Sequence, residues 1–279
     1  MAAVSAGILA VNAPVAAQIG AIGAPGSIAS GSEATSSAPI FTESALVMGR
    51  GMWAAGAYAG YTSGGFDGPV SVDLSSRQLL LGAYYAPTEQ LTLGVSVLPY
   101  ASISAENNLG DSADESGRGD AQLRAKYQFW NSTDGRTSLA GLGSIGLPIG
   151  DDDFGASGAS VGLGGAISHL ADRVSVHGGL GFFMPTDDDD GETTIDFSAA
   201  VVYAAQEKLS LGLELLGSTF SFEGIEGSER YTSIDLAPGA RYRVAPRVFL
   251  DGGLLFNVSS TDDSSLYDYA LVIGATVTR

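Results

Sequence analysis

From about Met48 to the carboxyl end, apolar and polar residues alternate with a period of two. Leu209, Leu211, Leu213 and Leu215 are interleaved with Ser210, Gly212 and Glu214. Ala121, Leu123, Ala125, Tyr127 and Phe129 are interleaved with Asp120, Gln122, Arg124, Lys126 and Gln128. Ile195, Phe197, Ala199, Val201 and Tyr203 repeat the pattern, and so do Tyr267, Tyr269, Leu271, Ile273, Ala275 and Val277. A helix would scatter these residues around its axis, whereas a strand places them on one face. The alternation predicts twelve strands, near 49–63, 72–86, 90–104, 119–131, 137–148, 158–170, 174–184, 192–205, 208–222, 230–244, 247–258 and 265–278. Most exceed ten residues, the length that crosses a bilayer (roughly 9–11) rather than the about 5–6 of soluble strands.

The connections alternate too. Pro87–Gln90, Ser132–Arg136, Ala171–Arg173, Gln206–Lys208 and Ala245–Arg247 are short. Gly64–Ser71, Glu106–Arg118, Gly150–Ser157, Pro185–Gly191, Glu223–Glu229 and Ser259–Ser264 are longer or markedly acidic. Short turns at one end and larger loops at the other are the layout of an outer-membrane barrel. An even strand number puts both termini at the short-turn, periplasmic end. The expected fold is therefore all-β, a 12-stranded antiparallel transmembrane β-barrel of the outer-membrane type. The polar face carries Asp120, Arg124, Lys126, Glu214, Asp235, Arg241, Arg243 and Asp251. Buried unpaired, each would cost several kcal/mol, so this face is expected to line a lumen and the apolar face to meet lipid. Aromatics near strand ends, among them Tyr84, Tyr100, Phe182 and Tyr242, suit interface girdles.

Composition supports this picture. Charged residues are only 16% of the 279, yet the net charge is −18, and mean hydropathy is +0.19. With 13 Lys+Arg against 31 Asp+Glu there is no basic footprint for nucleic acid. Without cysteine there is neither a disulfide framework nor a thiolate metal site. Residues 1–32 carry no charge, and Val15-Ala16-Ala17 precedes Gln18 as a cleavage site would. The expected organisation is a partial signal peptide over 1–17, a flexible Gly/Ala/Ser-rich segment over 18–47, either periplasmic or tucked into the lumen, and the barrel over 48–279.

The run Gly119-Asp120-Ala121-Gln122-Leu123-Arg124-Ala125-Lys126-Tyr127, then Leu147-Pro148-Ile149-Gly150-Asp151, then the Gly/Ser-rich strand ending Ile167-Ser168, resembles the outer-membrane family named for the MetA pathway of phenol degradation. The clear resemblance covers about 119–182. It implies a small transporter-type barrel in the bacterial outer membrane, and solutes that are hydrophobic or aromatic.

The eight inner charged residues are the candidate constriction. Arg124 and Lys126 share one inner face and Arg241 and Arg243 another, so an ion-selecting passage and a structural salt-bridge network are both open. The acidic loops, with Asp151, Asp152, Asp153 and the run Asp187, Asp188, Asp189, Asp190, are weak candidates for loosely bound Ca²⁺ or Mg²⁺. No tightly held cofactor is expected. Their first expectation is a solvated, repulsive surface, and their second is bridging to lipopolysaccharide through divalent ions. Gly141-Leu142-Gly143-Ser144-Ile145-Gly146 matches a dinucleotide fingerprint but lies inside a strand with no helix following, so its required context is missing. His169 and His177 flank the 171–173 turn and could approach each other across two strands, but no nucleophile-elbow motif accompanies them, and no catalysis is expected. The expected function is passive passage of small solutes. The alternative is a non-conducting structural or adhesion barrel whose loops contact partners or lipopolysaccharide.

Overall fold

The computed structural model describes residues 38–66, 71–156, 158–186, 193–224, 227–260 and 267–279. Thirteen strands form one antiparallel sheet: β1 (Trp53–Phe66), β2 (Val72–Tyr85), β3 (Leu91–Asn107), β4 (Ser112–Gly117), β5 (Ala121–Asn131), β6 (Thr137–Leu147), β7 (Ser160–Ala171), β8 (Val174–Pro185), β9 (Thr194–Gln206), β10 (Leu209–Gly224), β11 (Gly227–Ala245), β12 (Val248–Ser260) and β13 (Tyr269–Thr278). Each strand pairs with its sequence neighbours, except that β5 pairs with β3 rather than with β4, and β1 also pairs with β13, from Ala54↔Thr278 to Ser63↔Tyr269, which closes the sheet. Reciprocal backbone bonds of 2.8 Å between Trp53 and Arg279 fasten that seam at the short-turn end.

The closed barrel has twelve strand positions, because β4 and β5 share one. β3 pairs with β4 through its outer half and with β5 through Leu91–Val97. The join lies opposite Leu98-Pro99. Pro99 has no N–H for the ladder, and the β2–β3 register slips there, from Leu79↔Tyr100 to Leu81↔Val97. The slip moves the inward-facing residues of β3 from even positions to odd ones. Gly119 and Asp120 bridge the gap by bonding Leu98 on both its N–H and C=O. The expected acidic loop Glu106–Arg118 is thus corrected to a hairpin. Asn107 builds its turn, its Oδ1 accepting the N–H groups of Leu109 at 3.0 Å and Asp111 at 2.9 Å. At the opposite end, Ala171 pairs with Val174 around a two-residue turn, and Asp172 takes a left-handed φ of 43° there, as such turns demand.

The inversion of faces is explicit on β10. Leu211, Leu213 and Leu215 are 46%, 52% and 41% exposed, while Ser210 and Glu214 are 2% and 1% exposed. Apolar rows recur on the outside of the other spanning strands. In water so large an apolar surface would drive association; around a closed barrel it is the surface that lipid covers.

Candidate functional site in the barrel lumen

The lumen is not empty. Residues 38–48, just ahead of β1, run inside it and form a loop inserted from the short-turn end, called the cork below. Ala38 and Leu46 pack together against Leu170 of β7, which brings the two arms of the loop side by side. Ile40 and Phe41 lie against the inner wall among Tyr58, Leu80, Leu98, Ala237, Leu255 and Val272. Glycines make room: a Cβ at Gly239 would lie 2.7 Å from Ile40, and one at Gly253 would lie 2.6 Å from Phe41. Of the two places expected for the 18–47 segment, its last ten residues take the lumen, where they are mostly buried. Residues 1–37, with the expected signal peptide, lie outside the described residues.

Polar wall groups hold the cork by its backbone. A non-strand segment inside a barrel carries N–H groups that no ladder satisfies, and Glu214 of β10 collects three of them. Its carboxylate accepts from Ile40 at 2.7 Å, from Phe41 at 3.1 Å and from Thr42 at 2.6 Å. Ala45 donates to Ser168 Oγ at 2.8 Å and its carbonyl accepts from Gln128 Nε2 at 3.0 Å. Ser168 Oγ in turn lies 2.8 Å from His177 Nδ1. Met48 reaches Thr92 of β3 at 3.3 Å, and Gly51 donates to Ala86 at 2.7 Å, tying the link into β1 to the rim.

The cork also supplies a charge. Glu43 lies 2.8 Å from Arg124 Nη2 and 3.3 Å from Lys126 Nζ, with all three side chains still partly accessible. Across the ladder, Arg124 is opposite Gly94 and Ser144, and Lys126 opposite Thr92 and Leu142. None of those neighbours is acidic, and the loop supplies the carboxylate of both salt bridges.

The other expected lumen residues divide into four groups. Arg241 and Asp251 form a bidentate pair, Nε–Oδ1 2.6 Å and Nη2–Oδ2 3.3 Å. Tyr58 donates to Asp251 at 3.0 Å, and Arg241 Nη1 reaches the Ala38 carbonyl at 3.3 Å. Asp235 accepts from Asn257 Nδ2 at 3.0 Å on the wall. Arg243 sits at the short-turn rim, where its Nη2 bonds the Glu207 carboxylate at 3.0 Å. Asp120 is engaged by a loop at the outer end. Its oxygens accept the N–H groups of Ile149, Gly150 and Ala156 at 2.8–3.1 Å, which spends the carboxylate on holding the 149–156 loop.

Arg118 clamps the same loop, bonding Asp151 at 2.8 Å through Nη2 and again through its backbone N–H. Those bonds hold the Asp151 carboxyl below its ordinary range. Phe154 is buried against Leu98 and Ala101, so the loop folds inward. Among the described residues no three His, Asp or Glu side chains gather as a metal site would require. Asp187, Asp188, Asp189 and Asp190 lie outside the described residues. The two histidines do not meet: Ser168 is opposite His177 and Val176 opposite His169, and His169 Nδ1 lies 2.9 Å from Thr137 Oγ1 on the outward face.

Between the cork and the wall lies a cavity of about 140 Å³, bordered by Phe41, Glu43 and Leu46 of the cork and by Arg124, Lys126, Ser144, Phe183, Asp196 and Asp235 of the wall. Sequence reading missed Glu43 on the cork and the wall residues that bond the cork backbone, Ser168, Gln128 and Thr92. The available signals were the cluster Ile40-Phe41-Thr42-Glu43 in an otherwise bland segment, and two cations on β5 with no acidic partner on the adjoining strands.

Among solved structures, the barrel is similar to the COG4313 outer membrane channel from Pseudomonas putida F1, with 16% identity, a TM-score of 0.67, and 84% of this chain and 97% of that one covered. It is also similar to the NanC porin, with 10% identity, a TM-score of 0.54, and 80% and 98% covered. The translocator domain of the autotransporter NalP from Neisseria meningitidis matches at 14% identity and a TM-score of 0.50, with 82% and 88% covered. These likenesses are of fold: a twelve-position barrel of the bacterial outer membrane. No curated protein sequence matches the chain. The family model described as "Putative MetA-pathway of phenol degradation" matches residues 49–267, nearly the whole barrel, and the chain belongs to that family.

Proposed function

We propose that this protein is a passive outer-membrane channel for small solutes, and that displacement of residues 38–48 opens it. The observation that carries this reading is how the cork is held. Glu214, Ser168 and Thr92 take its backbone N–H groups, and Arg124 and Lys126 take its one carboxylate. Each such bond contributes only about 0.5–3 kcal/mol net, because water offers the released groups the same partners. Release exchanges these polar contacts for water and leaves the ladder around the loop intact, while Ile40 and Phe41 give up their seats beside Gly239 and Gly253.

The apolar inner strip of Leu80, Leu98, Ala101 and Val272 supports solutes with hydrophobic or aromatic surface. The family description points in the same direction. The net charge of −18 makes the outer loops attractive to cations, including the divalent ions that bridge to lipopolysaccharide phosphates. A non-catalytic role fits the histidines: His177 is buried against Ser168, beneath Ala45. The test is conductance in planar bilayers. The intact protein should show small, intermittent openings, and a variant with residues 38–47 replaced by Gly and Ser should conduct continuously. Currents that are absent in both would refute the channel.

A further inference from the structure

We propose that the cavity beside the cork is a binding site for small monocarboxylates with an apolar body, and that Glu43 occupies the place of the ligand's carboxylate while the cork is seated. This rests on the channel reading and names its solute class. Arg124 and Lys126 present two positive charges on one inner face, and the carboxylate of Glu43 forms a salt bridge with each of them. The ladder positions opposite both cations are uncharged. The barrel wall therefore carries a cationic pair that a removable loop bridges with its carboxylate. A free carboxylate makes the same two contacts, and its binding and the seating of Glu43 exclude one another.

The rest of the cavity selects what the carboxylate is attached to. Phe183 of β8 provides an aromatic wall. The volume of about 140 Å³ is close to the roughly 150 Å³ apolar cavity that accommodates a benzene ring. Asp196 and Asp235 also border the space, but from β9 and β11, across the barrel from β5. Asp196 accepts from Ser218 Oγ at 2.6 Å, and Asp235 is bonded by Asn257. Their negative charge opposes a second carboxylate at the far end of a ligand and orients a monocarboxylate with its anionic end on β5.

The probe is 4-fluorobenzoate, followed by fluorine NMR on the full-length protein in detergent, with 4-fluorobenzyl alcohol as the uncharged comparison. The expected result is saturable binding of 4-fluorobenzoate that tightens about tenfold in Glu43→Gln, where the internal competitor is gone. In an Arg124→Gln/Lys126→Gln variant that keeps the heat-modifiable migration of a folded barrel, this binding is lost. The alcohol binds more weakly and is indifferent to all three changes. Failure of 4-fluorobenzoate to bind Glu43→Gln, equal binding of the alcohol, or binding that survives loss of both cations would overturn the proposal. Bilayer conductance of the same preparations separates the two readings: current without 4-fluorobenzoate binding removes only the ligand class, and binding without current removes only the channel.

Discussion

The carboxylate of Glu214 lies 2.6 Å from the backbone nitrogen of Thr42, 172 residues earlier in the chain. One wall side chain thereby fixes the backbone of the segment that fills the lumen. Glu214→Ala removes the acceptor of three consecutive N–H groups. Charge-assisted bonds are worth about 1.5–3 kcal/mol each, and about 1.4 kcal/mol is a factor of ten in a population. The open fraction in single-channel records is expected to rise at least tenfold, in a barrel that still migrates as folded. An open fraction equal to that of the unaltered protein would mean that Glu214 does not hold the cork.

The converse experiment locks the cork. The chain has no cysteine, so a pair introduced as Ala45→Cys/Ser168→Cys has only one way to bond. Ala45 N and Ser168 Oγ are 2.8 Å apart, which sets the two positions side by side. The oxidised variant is expected to lose its openings, and a reductant to restore them. Equal currents in both redox states would show that the cork does not gate.

Arg241 and Asp251 serve the wall. Removing one partner of a buried ion pair leaves the other charge uncompensated, at a cost of about 3 kcal/mol or more. Arg241→Ala is therefore expected to lower the urea midpoint of the barrel clearly, and Glu43→Gln to leave it nearly unchanged. The comparison, followed by heat-modifiable gel migration, distinguishes groups that stabilise the barrel from groups that seat the cork.

The outer clamp depends on pH. Because Arg118 depresses the Asp151 carboxyl in the folded loop, the clamp is fully present above the ordinary carboxylate value of about 3.9. It is lost as the pH falls through the lower, folded value. Both side chains are largely exposed, so solvent screens the pair and its stabilisation is small. Arg118→Ala should move the Asp151 titration up toward its ordinary value by NMR. It should also speed amide exchange in 149–156 at neutral pH, whereas the unaltered loop should loosen only in acid.

The barrel was legible because lipid imposes a strict rule: each spanning strand must turn an apolar row outward. The row Leu209–Leu215 states that rule openly, and the strands lie within a few residues of their expected limits. The cork obeys no such rule. Ile40 and Phe41 have no period, and their order derives from Glu214, which reads in sequence as one more inner charge. The bonding of Asp120 was hidden for a similar reason. Its place in the alternation is inward, but the chain breaks opposite Pro99 and turns the carboxylate toward the 149–156 loop. The 106–118 hairpin was hidden because Ser112–Gly117 is polar on both faces and lies beyond any apolar surface that would mark it.

The link from Met48 to Trp53 is short and fastened at the rim by Gly51 and Ala86. An expelled cork therefore stays on a leash only a few residues long, and its return is an intramolecular event at high effective concentration. Openings should be brief and grouped, and their closing rate should be independent of how much protein is in the membrane. A soluble copy of residues 38–48 added to the bath should compete poorly with the tethered one.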